Sequence, residues 1–466
     1  MNRDRLVPLI VAVALFMENM DSTVIATSLP AIAVDIGTNP LALKLAVTSY
    51  LLSLAVFIPM SGWTADRFGA RKVFATAIAV FVAGSIGCAL SGSLTDFVIA
   101  RIVQGMGGAM MTPVGRLVLV RSVDKRALID AMAWVSIPAL IGPISGPPLG
   151  GFITTYASWH WIFIINVPIG LIGIALALRY IEDVRVAMRD PFDLPGMVLA
   201  AISVAGLAFG CSVLGVGLVP WPFAASLIAI GAIALAFYLR HARKVPAPVL
   251  DFSLLALPTF RASVVGGFLF RIGIGALPFL LPLLLQVGFD FTPFQSGLTT
   301  FASTVGAFTM KTMASRILKR FGFRPVLVVN AVVSAAFLAA CAWFSATTPY
   351  LLMFLVLLVG GFFRSLQFTS TNVLAYAQVD QARMSRATAL AAVAQQLSLS
   401  AGVALGGATV ELVVWSKADT VITAADFPPA FLLIAAISAA SAIIFARMPR
   451  DAGAELAHRT PPGETK

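Results

Sequence analysis

Charged side chains are scarce in this sequence: 11% of its 466 residues are Asp, Glu, Lys or Arg, while 59% are hydrophobic and the mean hydropathy is +0.94. Soluble domains carry about 25% charged residues, so the chain lacks the polar surface needed to face water all round and is read as a membrane protein. Cysteine and histidine are also scarce, at three each. Cys88, Cys211 and Cys341 all fall inside apolar runs, which argues against a disulfide framework or Cys-rich metal site and reads them as small buried hydrophobes. His160, His241 and His458 are far apart and show no HExxH or comparable ligand spacing, so no bound metal is expected. No GxxxxGK[ST] string occurs, so ATP is not expected to drive the protein. Gly105-x-Gly107 sits in an apolar run with no preceding strand and is no dinucleotide site. No cofactor is expected, and a membrane enzyme lacks a nucleophile, metal or cofactor constellation to work with.

What the chain has in abundance is apolar runs long enough to cross a bilayer, which takes about 20 residues. Runs bounded by charges, Pro or Gly fall near 6–33, 43–64, 73–93, 96–119, 128–154, 161–180, 195–214, 219–239, 259–287, 296–315, 325–345, 349–377, 386–414 and 427–447. Runs of this length exclude ten-residue barrel strands, so the fold class is all-α with fourteen transmembrane helices. The first run contains Glu18 and Asp21 and is too long for a signal peptide, so it reads as a retained helix.

The net charge of +11 has a topological reading. Cations cluster before the first run and after the even-numbered ones, for example Arg67, Arg71 and Lys72, then Arg121, Lys125 and Arg126, then Arg316, Lys319, Arg320 and Arg324. In all, 24 of the 32 lysines and arginines fall on one side, and the opposite loops offer only Lys417 and, at the outer edge of the second run, Lys44. By the positive-inside rule both termini are cytoplasmic. The excess charge therefore fixes orientation, and nucleic acid is not an expected partner.

An internal repeat supports the count. Arg67-Phe68-Gly69-Ala70-Arg71 after the second run matches Arg320-Phe321-Gly322-Phe323-Arg324 after the tenth, and Arg101-Ile-Val-Gln104 in the fourth matches Arg364-Ser-Leu-Gln367 in the twelfth. Residues 1–190 and 251–450 read as two related six-helix bundles, 191–250 as two inserted helices and 451–466 as a cytoplasmic tail. Paired repeats around a midplane site are an alternating-access transporter architecture.

Few ionisable groups lie at membrane depth, and those are functional candidates by default. Glu18 and Asp21 lie three apart on one helix face and are candidate proton carriers. Arg101 keeps its proton and so needs a carboxylate, carbonyls or water. Arg364 is its repeat partner, and Arg271 sits mid-helix where the equivalent first helix carries the acids. Arg271, Arg364, Gln104 and Gln367 are the substrate-cavity candidates. Two explanations stand for the arginines: forked recognition of an anionic substrate, or internal pairing of Arg271 with Glu18 or Asp21. Arg116, Arg261 and Lys311 read as snorkelling side chains. In the fifth run, Pro138, Pro143, Pro147 and Pro148 with Gly142, Gly146 and Gly150 predict a kinked helix with a small-residue ridge for close packing.

These strings bring a family into view. Gly62-Trp-Thr-Ala-Asp66-Arg67-Phe-Gly69-Ala-Arg71-Lys72 resembles the helix 2–3 loop signature of the major facilitator superfamily, and Arg101 through Gly108 resembles its helix 4 motif. Gly142-Pro-Ile-Ser-Gly146-Pro147-Pro148-Leu-Gly150-Gly151 resembles the helix 5 motif of its drug:proton antiporters, and Met20 through Pro30 the helix 1 signature of the fourteen-helix group. Thr64, Ala70 and Ala26 depart from those patterns. The resemblance implies a major facilitator fold in a bacterial cytoplasmic membrane, exporting small organic compounds or drugs against protons; a monomer is the expectation, with the oligomeric state left open by the sequence. It assigns proton coupling to Arg101 with the helix 1 acids, and a cytoplasmic gate to Gly62, Asp66, Arg67, Gly69 and Arg71. Efflux of a small organic anion is the alternative. A non-transporting receptor or scaffold is the reading from another class, and it has no need for membrane acids beside a gate loop.

Overall fold

A computed structural model describes residues 3–122, 128–182, 193–213, 220–417, 421–449 and 452–453. The described chain is helical throughout. Twelve helices are long and apolar enough to cross a membrane: α1 Leu6–Thr27, α2 Pro40–Phe68, α3 Ala70–Ala89, α4 Leu94–Val120, α6 Trp161–Tyr180, α7 Leu194–Val213, α8 Trp221–Ala242, α9 Pro258–Gly288, α11 Phe323–Trp343, α12 Tyr350–Ala375, α13 Met384–Ser416 and α14 Ala424–Ala446. Two further helices of 29 residues, α5 Leu128–Tyr156 and α10 Pro293–Phe321, occupy the fifth and tenth positions expected from sequence. They fall outside the count of twelve for different reasons. The side chains at 128–134 and 136–140 of α5 are not described, while α10 carries Lys311, Arg316, Lys319 and Arg320 in its second half.

The first expected run is corrected at its end. α1 stops at Thr27, and a separate short helix, Leu29–Asp35, follows with Pro30 in its first turn, where its missing N–H costs no helical bond. α5, by contrast, runs unbroken through Pro143, Pro147 and Pro148.

The helices group into two units, one made of Met1–Val213, Gly217–Val249 and Thr292–Gly297, the other of Leu214–Val216, Leu250–Phe291 and Leu298–Lys466. Thus α7 and α8 group with the first. Within the first unit, α1 packs along α5 and α3 along α4 and α6; within the second, α9 packs along α13 and α11 along α12 and α14. These pairings repeat with an offset of eight helices. The joints repeat as well: the α2–α3 and α10–α11 turns each pivot on a glycine with positive φ, 94° at Gly69 and 79° at Gly322, a conformation that costs a side-chain-bearing residue about 1–2 kcal/mol.

Small residues bring the first-unit helices close. A Cβ on Gly142 would lie 3.0 Å from the Phe16 carbonyl oxygen, one on Gly146 2.8 Å from Thr23 Cβ, and one on Gly150 2.7 Å from Thr27 Oγ1, so this ridge of α5 seats directly on α1. Gly151 and Pro147 lie against Pro293 and Gly297 of the same unit. Of the cysteines, Cys88 and Cys341 are buried as expected, but Cys211 is exposed on α7. Its run is apolar because that helix offers an apolar outer face, not because the residue lies in a core.

Candidate functional site

Asp21 sits in the second half of α1 and is fully buried. A lone carboxylate there would be very costly, and its environment supplies the compensation. Arg101 Nη1 of α4 donates to Asp21 Oδ2 at 2.8 Å and to Gln104 Oε1 at 2.5 Å. Gln104, one helical turn beyond Arg101, donates through Nε2 to Asp21 Oδ1 at 2.8 Å and to Ser85 Oγ of α3 at 2.9 Å. Asn166, at the start of the main part of α6, donates to Asp21 Oδ1 at 3.0 Å and to Ser85 Oγ at 3.3 Å. The guanidinium carbon of Arg101 lies 4.2 Å from the centre of the Tyr50 ring of α2, a cation–π contact. Five helices therefore converge on one buried ion pair, with Asp21, Arg101, Gln104 and Asn166 each no more than 1% exposed. Removing one member of such a pair strands the other, at about 3–5 kcal/mol.

Glu18, one turn earlier on α1, is separate from this centre. It is half-buried and accepts a 2.7 Å hydrogen bond at Oε2 from the Thr112 hydroxyl of α4. The glycines of α4 make both contacts reachable. A Cβ on Gly105 would come within 2.6 Å of Ser53 Cβ on α2, and one on Gly107 within 2.8 Å of Phe81 Cα on α3, so α4 is wedged between its neighbours.

The second unit holds the arginines without acids. Arg271 is 5% exposed; its Nη2 donates to Asn372 Oδ1 at 2.7 Å, its guanidinium lies over the Phe368 ring at 5.3 Å, and its Nε finds no acceptor. Arg364 donates to the Ser303 hydroxyl. Gln367 accepts from Asn330 Nδ2 at 2.9 Å and donates to the Leu327 carbonyl at 3.1 Å. Hence Arg364 and Gln367, the counterparts of Arg101 and Gln104, share no acid, and no ion pair to Arg271 or Arg364 occurs among the described residues.

At the α2–α3 joint, Asp66 and Arg71 are half-buried, and Gly62 and Arg67 are exposed. Beside it opens an apolar groove of about 490 Å³ lined by Phe57, Met60, Phe68, Met106 and Met110, with Lys72 also in its lining. Lys44, expected at an outer edge, is fully buried at the start of α2. Lys125 and Arg126 lie outside the described residues.

In the second unit a charge network joins the segment before α9 to the one before α13. Asp251 accepts from Arg383 at 3.2 Å and Arg386 at 3.3 Å, and from the Ser253 hydroxyl at 2.5 Å. Burial alone would raise the Asp251 carboxyl, but the hydrogen bonds from Ser253 and Arg383, together with the Arg383 charge, hold it below the usual carboxylate range.

Sequence reading singled out Asp21, Glu18, Arg101 and Gln104 and missed Asn166, Ser85, Tyr50 and Thr112. A signal existed for Asn166, a lone amide inside the apolar run 161–180, because buried amides at lipid depth need partners. Nothing comparable marks one serine or threonine among many.

A family model for the Major Facilitator Superfamily matches residues 11–196 and 263–464. Over 451 residues the chain is 40% identical to MdtD of Salmonella paratyphi B, a protein named for multidrug resistance, covering 95% of this chain and 94% of that one. Among solved structures it resembles a D-xylose-proton symporter (TM-score 0.67, 15% identity, covering 95% of this chain and 97% of that one). It also resembles the nucleoside transporter NupG (TM-score 0.65, 15% identity, covering 95% and 99%).

Proposed function

The chain belongs to the major facilitator superfamily, and from that premise we propose that it is a proton-coupled antiporter that exports small organic compounds or drugs by alternating access. It is a multi-pass membrane transporter and not an enzyme. In this reading all fourteen helices span a bacterial cytoplasmic membrane with both termini inside. Residues 1–190 and 251–450 are the two bundles, 191–250 the insert and 451–466 the tail. The name of the relative at 40% identity supports drug export. Glu18, Asp21 and Arg101 carry proton coupling; Gly62, Asp66, Arg67, Gly69 and Arg71 form the cytoplasmic gate; and Gly142, Gly146, Pro147, Gly150 and Gly151 hold α5 in place.

The observation that carries this reading is the buried Arg101–Asp21–Gln104 centre beside Glu18: a transporter that moved substrate without protons would have no use for two acids at that depth. The test uses inside-out vesicles with an imposed proton gradient, screening ethidium as a cationic probe against benzoate as a carboxylate. Uptake of at least one probe that collapses with the gradient is expected; uptake of each probe indifferent to the gradient would contradict proton coupling.

One observation favours a second reading for the substrate. Among the described residues, Arg271 and Arg364, buried and half-buried in one unit, have Asn372 and Ser303 as hydrogen-bond partners and no carboxylate in an ion pair, so a carboxylate-bearing substrate would meet guanidinium forks open to it. Preference for benzoate over ethidium in the same vesicles would select this reading.

A further inference from the structure

We infer that the two acids of α1 divide the work, Glu18 taking up and releasing the transported proton while Asp21 stays ionised as the fixed counter-ion of Arg101. This rests on the proposed proton coupling and assigns it to one atom group. The argument is the chemistry of the partners. Each group that hydrogen-bonds Asp21 is a donor: the Arg101 guanidinium, the Gln104 amide NH₂ and the Asn166 amide NH₂. An ionised carboxylate accepts all three, whereas a protonated one would turn an O–H toward donors. It would also leave Arg101, 1% exposed, without its anion. Both penalties oppose protonation, and the side chain itself is fully buried.

Glu18 has the opposite surroundings. Its hydrogen-bonding partner is the Thr112 hydroxyl, which can donate to a carboxylate and, after turning about its C–O bond, accept from a carboxylic acid. Either protonation state is therefore satisfied by the same pair of side chains. Proton uptake forms one O–H bond on Glu18 as a hydronium ion gives up its proton and becomes water, and it rotates one hydroxyl; release reverses both, and nothing else is consumed. The charges that act on Glu18 are Arg116, one turn beyond Thr112 on α4, and Asp21 on α1; from α2 the ionisable group is Tyr50. α5, packed along α1, presents no Asp, Glu, Lys, Arg or His between 141 and 156. The three-residue spacing gives the division a further use. Protonating Glu18 removes a negative charge one turn from the Asp21–Arg101 pair, so substrate or proton arriving at one acid is felt at the other without breaking the five-helix junction.

The test reads the protonated carboxyl directly by infrared difference spectroscopy of the purified full-length protein as pH is lowered, and needs no substrate. Wild type should gain a protonated-carboxyl C=O band. Glu18→Gln should lose that band, Asp21→Asn should keep it, and Thr112→Val should keep it at a shifted frequency. Persistence of the full band in Glu18→Gln overturns the inference, as does its loss in Asp21→Asn protein that still elutes as a folded species. Glu18→Gln disturbs only a hydroxyl contact and decides the matter even if Asp21→Asn fails to fold. Ethidium and benzoate transport by the same preparations is scored separately. A band that follows Glu18 in a protein whose transport ignores the proton gradient would refute the proposed antiport while leaving the division of the acids standing.

Discussion

The first unit buries Arg101 against an acid, and the second holds Arg364, its counterpart in the repeat, half-buried against a serine. The strings Arg-x-x-Gln are the same on α4 and α12, yet Gln104 completes an ion-pair centre while Gln367 ties α12 to Asn330 and the Leu327 carbonyl of α11. Each joint keeps a glycine with positive φ, and the two arginines meet different partners. A charge-paired centre lies in the first unit, and Arg271 and Arg364 of the second unit hydrogen-bond to an amide and a hydroxyl.

Six substitutions can break or sharpen that contrast. The largest effect is expected from Arg101→Gln, which strands Asp21 in the junction and should destabilise the first unit by about 3–5 kcal/mol, read as a fall in thermal midpoint and in folded yield. The equivalent Arg364→Gln removes one hydroxyl contact and should cost about 1 kcal/mol; equal losses at the two sites would erase the contrast. Asn166→Ala takes one donor from Asp21 and should fall between them, at about 1–3 kcal/mol, measured by the same melting experiment. Gly69→Ala and Gly322→Ala should each cost about 1–2 kcal/mol and match one another, since the joints are alike even where the centres are not. The smallest effect concerns Asp251. Its carboxyl is held below its ordinary value, so the stability it adds is present above about pH 4 and fades as pH falls through the lowered folded value. Melting of Asp251→Asn should therefore differ from wild type near neutrality and converge with it in acid.

Much of this was legible in the residues. Apolar run length located every long helix, because the bilayer imposes a minimum span, and the Arg-Phe-Gly strings marked two joints whose glycines do adopt positive φ. Asp21 and Arg101 were each identifiable as groups that need a partner at depth. Which partner was not legible, since 80 residues separate them and the pairing depends on α4 being wedged by Gly105 and Gly107 against α2 and α3. The same limit hid the partner of Arg271, Asn372 on α12, which lies 101 residues away. The break after Thr27 was foreshadowed by Pro30 but hidden by the continuing apolar run.

The central claim is that proton coupling resides with the acids of α1 and not with the arginines of the second unit. Its most direct test is proton release by purified protein in weakly buffered detergent, followed with a pH dye as ethidium or benzoate is added to saturation. The account predicts that Glu18→Gln binds the probe that wild type binds and releases no proton, while Arg364→Gln needs more probe and still releases one. Undiminished proton release from Glu18→Gln, or release abolished in Arg364→Gln at saturating probe, would contradict it.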